Sequence, residues 1–287
     1  MLVTCNLHAQ WVASIRAGFA ANGFDSTSLD DRECIVRWIS WQRRLVEMRT
    51  RQVHRAAVLS CPSPLQPGLA QLEDAVRTGK PLWPWQSKRI DRQIYEDAML
   101  NDFGILHFHL GANFEGSGYI ERTRELLFAV VTRDDFYELG VFDHSSWFEL
   151  DLLEIMDAAW PALLDPFTID ALSISNTPKS SQDVRLYREN QINSAVTLKS
   201  GRIILSPGGG QASDGTSAEA VSSAIHWSKR FHGWERMIRE DIQKQVAEKQ
   251  LEERDYSISL ELGADIISAS IPETLRWILW RRNQNTP

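Results

Sequence analysis

The sequence predicts an α+β protein, with a helical N-terminal region, a small central antiparallel sheet flanked by helices, and a C-terminal hairpin plus helices. Three observations predict it. Apolar residues recur at helical spacing through most of the first eighty positions. From Phe103 the period falls to two. Near the C-terminal third, Lys199-Ser200-Gly201 separates two short β-branched runs, which is hairpin chemistry. The expected regions are 1–80 (helical), 81–165 (the α+β core) and 166–287 (a second α+β region).

A first helix is expected from His8 to Ala21, stopped by Asn22-Gly23. A second, longer one starts at Asp30 or Asp31, with Ile35, Ile39, Leu45 and Met48 as its apolar stripe. Its other face carries Arg32, Arg37, Arg43, Arg44, Arg49, Arg51 and Arg55. Cys61-Pro62-Ser63-Pro64 breaks the pattern, and Gln66 to Arg77 forms a third helix before Gly79 and Pro81. Residues 80–89, with two prolines and two tryptophans, form an extended connector.

Strands follow at Ile105–His109, Leu126–Val131 and Phe136–Phe142, with Asp134-Asp135 at the second turn. Their short connections predict an antiparallel meander. A helix is expected from about Glu149 to Ala159. The hairpin Ala195–Leu198 and Arg202–Leu205 precedes Ser206-Pro-Gly-Gly-Gly210, then Thr216 and Glu219 as a capping box. Residues 231–254 read as helical, 256–271 as strand, and Leu275–Trp280 as a short closing helix.

Composition bounds the function. The 287 residues are 43% hydrophobic and 24% charged, which suffices for a packed core. The three cysteines, Cys5, Cys34 and Cys61, contain no Cys-x-x-Cys pair, so neither a thiolate zinc site nor a disulfide framework is implied. No signal-peptide pattern and no membrane-length apolar run is present, and a cytoplasmic location is expected. The net charge of −7 is uneven: +3 over residues 1–100, −10 over 101–180 and zero beyond. A basic footprint for nucleic acid must therefore come from the N-terminal region. Arg37, Arg43, Arg44, Arg51 and Arg55 are the expected nucleic-acid-binding residues. Contact with the chain's own acidic middle is the structural alternative.

The chemistry-bearing set is His107 and His109, two apart on one strand, with Arg122 and Arg124 before the next, Tyr137 on the third, and His144 at its end. Imidazoles titrate near neutrality and suit paired proton transfer, and a guanidinium suits a charged phosphorane. That is the equipment of metal-free RNA cleavage. Satisfied core histidines are the structural alternative. A metal site completed by Glu115, Asp143 or His144 is a third reading of the same residues. The glycine run 206–210 lacks the lysine and hydroxyl of a phosphate-binding loop, and a turn-rich connection is favoured over an anion cradle.

At His107-Phe-His-Leu-Gly111, Arg124-x-Leu-Leu-Phe128 and Phe142-Asp-His144, the chain resembles a group of bacterial proteins associated with mobile elements and phage defence. Over about residues 88–165 the strand order also resembles the RelE/barnase-like ribonuclease fold of toxins. The resemblance implies a ribonuclease-like toxin or effector of a toxin–antitoxin or anti-phage system, cleaving RNA without metal or cofactor. His107, His109 and His144 would be its acid/base groups, Arg122 or Arg124 its phosphate grip, and Tyr137 an orienting group. RNA is then the candidate ligand, with an antitoxin or defence-complex subunit as protein partner, self-association as a further option, and no membrane. The alternatives are a non-enzymatic regulatory or assembly protein and a metal-dependent hydrolase.

Overall fold

A computed structural model describes residues 1–143, 150–169, 178, 180–272 and 274–282. The class is α+β with a C-terminal strand hairpin. The chain divides into two compact units, Met1–Ile39 with Ser222–Pro287, and Ser40–Val221. The first of the expected regions is thus shared between both units.

The Ser40–Val221 unit is built on a four-stranded sheet. Its strands are β2 (Gln52–Arg55), β3 (Leu106–His109), β4 (Glu125–Val131) and β5 (Asp135–Asp143), in the order β2-β5-β4-β3. The expected meander β3-β4-β5 is antiparallel throughout. Gln52–Arg55, expected within the second helix, instead forms an edge strand parallel to β5. Helix α2 stops at Arg44 (Asp31–Arg44), and Met48 lies exposed rather than in an apolar stripe. The reason is tertiary: Val53 packs against the core, and the β2 backbone finds its partners on β5.

Both faces of this sheet are covered. Helix α3 (Gln66–Thr78) lays Leu69, Leu72, Ala75 and Val76 on the face bearing Leu106, Phe108, Leu127, Ala129 and Phe136. The opposite face, bearing Leu126, Phe128 and Leu139, meets α4 (Ala98–Phe103), α5 (Asp151–Ala159) and the hairpin β6 (Val196–Thr197) with β7 (Ile203–Ile204). The Lys199–Gly201 turn joins that hairpin as expected, with Gly201 at φ +86°.

The glycine run 206–210 has no free cradle. The Gly208 amide donates to Asp102 O (2.9 Å), the Gly210 amide to Asn101 O (2.7 Å), and the Gly208 carbonyl accepts Arg43 Nη2 (2.7 Å). A Cβ on Gly208 would lie 2.0 Å from Leu100 O and 2.5 Å from Asn101 O. Gly208→Ala is therefore expected to destabilise this unit by about 3 kcal/mol, because backbone must move. Gly116, with nothing within 4 Å of a built Cβ, is the control. Equal chemical denaturation midpoints for the two variants would contradict this packing.

The other unit holds α1 (Leu7–Ala21), most of the 30-residue helix α7 (Ala218–Ala247), the parallel pair β1 (Val3–Thr4) with β8 (Tyr256–Ser257), and the antiparallel sheet β9 (Ser259–Leu262), β10 (Ile266–Ile271), β11 (Leu275–Arg281). Leu275–Trp280, expected as a helix, is strand. Leu275, Trp277 and Leu279 turn to the core while Ile278 between them is exposed, which is a period of two. Helix α7 is capped by Ser217, whose Oγ accepts the Ala220 amide at 3.1 Å, one residue later than the expected Thr216.

Candidate functional site

The two faces of the sheet decide where each expected residue goes. His107 and His109 do share a face, but that face is core: they are 4% and 1% exposed. His109 Nδ1 accepts the Thr123 amide at 3.1 Å, and the His107 ring lies 6.3 Å from that of Phe128. Neither ring can meet a polymer in solvent without the sheet opening. Tyr137 is on the same face, two strands away, which is roughly 10 Å across the ladder. Arg122 and Arg124 precede β4, whereas Tyr137 pairs with Val130 near its other end. Six residues of strand separate Arg124 from Val130, about 20 Å. His144 lies outside the described residues. The expected set is not brought together by the described residues.

The arginines of residues 37–55 do not form one exposed face either. Arg43 donates to Asn101 Oδ1 (3.2 Å), Ser217 Oγ and Gly208 O. Arg44, 2% exposed, caps the carbonyls of Tyr95 and Gln93. Arg51 donates to Thr132 O and Glu47 O, both at 2.9 Å. Arg37 pairs with Glu33 one turn away, and Arg55 with Glu73 and Glu138. Burial pushes the Arg43, Arg44 and Arg51 guanidinium pKa values down. These side chains satisfy loop carbonyls inside the fold.

Tyr137 does find a histidine, but it is His54 on the neighbouring strand. The parallel register places His54 opposite Tyr137. Their rings stack at 4.8 Å with an interplanar angle of 18°. His54 Nε2 lies 2.7 Å from Asp135 Oδ1, two residues before Tyr137 on β5. The pair is open to solvent: the side chains are 34% and 31% exposed. His54 Nδ1 has no hydrogen-bonding partner among the described residues. Trp160, after α5, closes one side with its ring 5.0 Å from Tyr137. Burial first, then the charge of Asp135 and a hydrogen bond to it, push the Tyr137 phenol up.

A cation is close in sequence. Arg133 stands at the tip of the β4–β5 turn, two residues before Asp135. It makes no hydrogen bond or ion pair among the described residues, and its Nε is buried without a partner. A groove of about 460 Å³ begins beside the same site. It is lined by Ala56 and Val58 beyond His54, by Ala159 next to Trp160, and by Phe142 and Ile155. Its rim carboxylate Glu154 is held by the Lys199 amide at 2.9 Å.

On the opposite face of the sheet the same two strands build a second polar cluster. Glu138, fully buried, has one oxygen 3.1 Å from Arg55 Nε and the other without a hydrogen-bonding partner among the described residues. Glu73, on α3, takes Arg55 and Arg77. Burial, and then the Glu73 charge, raise the Glu138 carboxyl to about 8. Its partner Arg55 is half exposed, but the carboxyl itself is sealed from solvent.

No group of three or more His, Cys, Asp or Glu side chains able to hold a metal ion occurs among the described residues. No helix among them is long and apolar enough to cross a membrane. The fold and site define an α+β protein with a solvent-reached His–Asp pair backed by a tyrosine at a sheet edge. The chain matches no family model, no characterised protein and no solved structure in the comparisons made.

Proposed function

We propose that this protein is a metal-independent, ribonuclease-like enzyme whose reacting groups centre on His54. The 2.7 Å His54–Asp135 contact in a half-open setting carries the reading. Asp135 accepts from Nε2–H, which fixes the tautomer that leaves the Nδ1 lone pair as a base. Nδ1 takes the proton of a ribose 2′-hydroxyl, O2′ bonds to phosphorus, and the P–O5′ bond breaks. The departing 5′-oxygen takes its proton from the Tyr137 hydroxyl. The products are a 2′,3′-cyclic phosphate and a free 5′-hydroxyl, and the imidazolium returns its proton to the phenolate. Arg133, two residues before Asp135 and without an ion-pair partner among the described residues, is the cation assigned to balance the phosphorane. The apolar groove beyond Trp160 suits one planar base. An effector role in a toxin–antitoxin or anti-phage system, with a protein partner that restrains the activity, belongs to the same proposal.

The purified chain incubated with total RNA is expected to cleave equally with and without chelator, leaving cyclic-phosphate ends. His54→Ala should abolish this, whereas His107→Ala should act only through stability. Cleavage unaffected by His54→Ala, or lost on chelation, ends the proposal.

A further inference from the structure

Residues 83–122 of the same unit form a surface that the His54 chemistry does not use. Trp83 is 39% and Phe114 58% exposed, unusual for such large rings. Trp83 is fixed edge-on to Tyr119 at 5.0 Å, and Phe114 to the buried Trp85 at 5.9 Å. Gly118 lets the loop lie against Trp83: its φ is +81°, and a Cβ there would be 3.0 Å from the indole. Both rings are thus held rigidly with area left open.

Cations surround them. Lys88 sits 5.8 Å from the Tyr119 ring centre and binds Glu115. Arg89 lies 5.5 Å over the Tyr95 ring and has no carboxylate partner among the described residues. Arg92 and Arg122, both exposed, make no side-chain hydrogen bond or ion pair among the described residues. Of the carboxylates in this stretch, Asp91 accepts the Tyr119 hydroxyl at 2.6 Å, Glu115 pairs with Lys88, and Glu121 accepts the Asn113 side-chain amide at 3.1 Å. Partial burial weakens the hold of Arg122 on its proton; the charge of Glu115 opposes this, and the like charge of Arg89 adds a smaller push in the same direction as burial. Lys88, Arg89, Arg92 and Arg122 exceed the carboxylates Asp91, Glu115 and Glu121 by one charge, a small excess that favours an anion.

We infer that Trp83, Phe114, Lys88, Arg89, Arg92 and Arg122 form a binding surface for single-stranded nucleic acid, with the rings stacking bases and the guanidinium groups holding phosphates. A duplex hides its base faces and fits less well. The surface adjoins the start of β4, whereas His54 stands beside the far end of that strand, so its binding is separable from any cleavage.

Fluorescence anisotropy with a short labelled single-stranded DNA tests it, because DNA lacks the 2′-hydroxyl the His54 reaction needs. The full chain should bind it, and more tightly than a duplex of the same sequence. Trp83→Ala should weaken binding by about tenfold. The double variant Arg89→Gln, Arg122→Gln should flatten the dependence of log Kd on log salt by about 0.7 for each phosphate that is no longer neutralised. All three positions are exposed, so melting temperatures should match wild type; should Trp83→Ala unfold, the arginine variant still reads the result. Absence of binding by the wild type, unchanged binding in the variants, or preference for duplex or for anionic vesicles overturns the inference.

Discussion

Asp135→Asn is expected to lower RNA cleavage by about 10²–10⁴-fold while leaving the fold in place. Aspartate offers only acceptors to His54, so the ring must present Nε2–H and keep its Nδ1 lone pair outward. Asparagine can turn its NH₂ toward Nε2, which moves the ring proton to Nδ1 and removes the base without removing the histidine. Charge is lost as well, so the imidazolium formed during the reaction is no longer stabilised. Because Asp135 is 31% exposed, its contribution to stability is small and the melting temperature should change little. The informative readout is the pH–rate profile. A positioning effect lowers the maximal rate and changes the shape of the profile. A variant with wild-type rate and wild-type profile would show that the contact is ornamental to any activity.

Glu138 carries the second large effect, this time on stability against pH. Its carboxyl is raised to about 8 in the folded protein, by burial and by the Glu73 charge beside it. A raised acid binds its proton more tightly folded than unfolded. Its contribution is therefore fully present below the ordinary glutamate range and is lost as pH rises through about 8. Glu138→Gln keeps the shape of the protonated acid and cannot ionise. Wild type should melt lower at pH 9 than at pH 5.5 by about 5 °C or more, and Glu138→Gln should show much less of this fall. Glu138→Ala, which leaves a cavity and takes a partner from Arg55, should be less stable at both pH values by about 2–3 kcal/mol. Parallel melting curves for wild type and Glu138→Gln across pH would remove this account of the raised carboxyl.

The central meander was legible because Ile105–His109, Leu126–Val131 and Phe136–Phe142 show their period directly, and their turns are short. The helix stops at Asn22-Gly23 and Gly79 were equally local. What failed was decided by distant partners. Val53, His54 and Arg55 sit in an arginine-rich stretch that continues a helical pattern, and only pairing with β5, about 80 residues on, makes them strand. That misplacement hid the His54–Asp135 pair, since His54 reads as an isolated residue on a basic helix. The alternation of Val53 with the polar Gln52 and His54 was the available signal. The His107–His109 reading failed for the opposite reason. Alternation placed both rings on one face correctly, but a single strand does not tell whether that face meets solvent or a second layer. Here α4, α5 and the hairpin cover it.

The pairing of β2 with β5 also has a kinetic consequence. The ladder is four residues long, lies at an edge, and joins segments distant in sequence, so its closure entropy is large and its reward small. It should dock after the meander has formed and be among the first ladders to come away. His54 travels with β2 and Asp135 with β5, so every such fraying separates base from carboxylate. Amide exchange at His54 and Arg55 should then outpace that at Leu127 and Phe128, and it would report the fraction of molecules in which His54 and Asp135 are apart at a given moment. A binding partner that gripped the β2 edge would set that fraction without touching the reacting atoms.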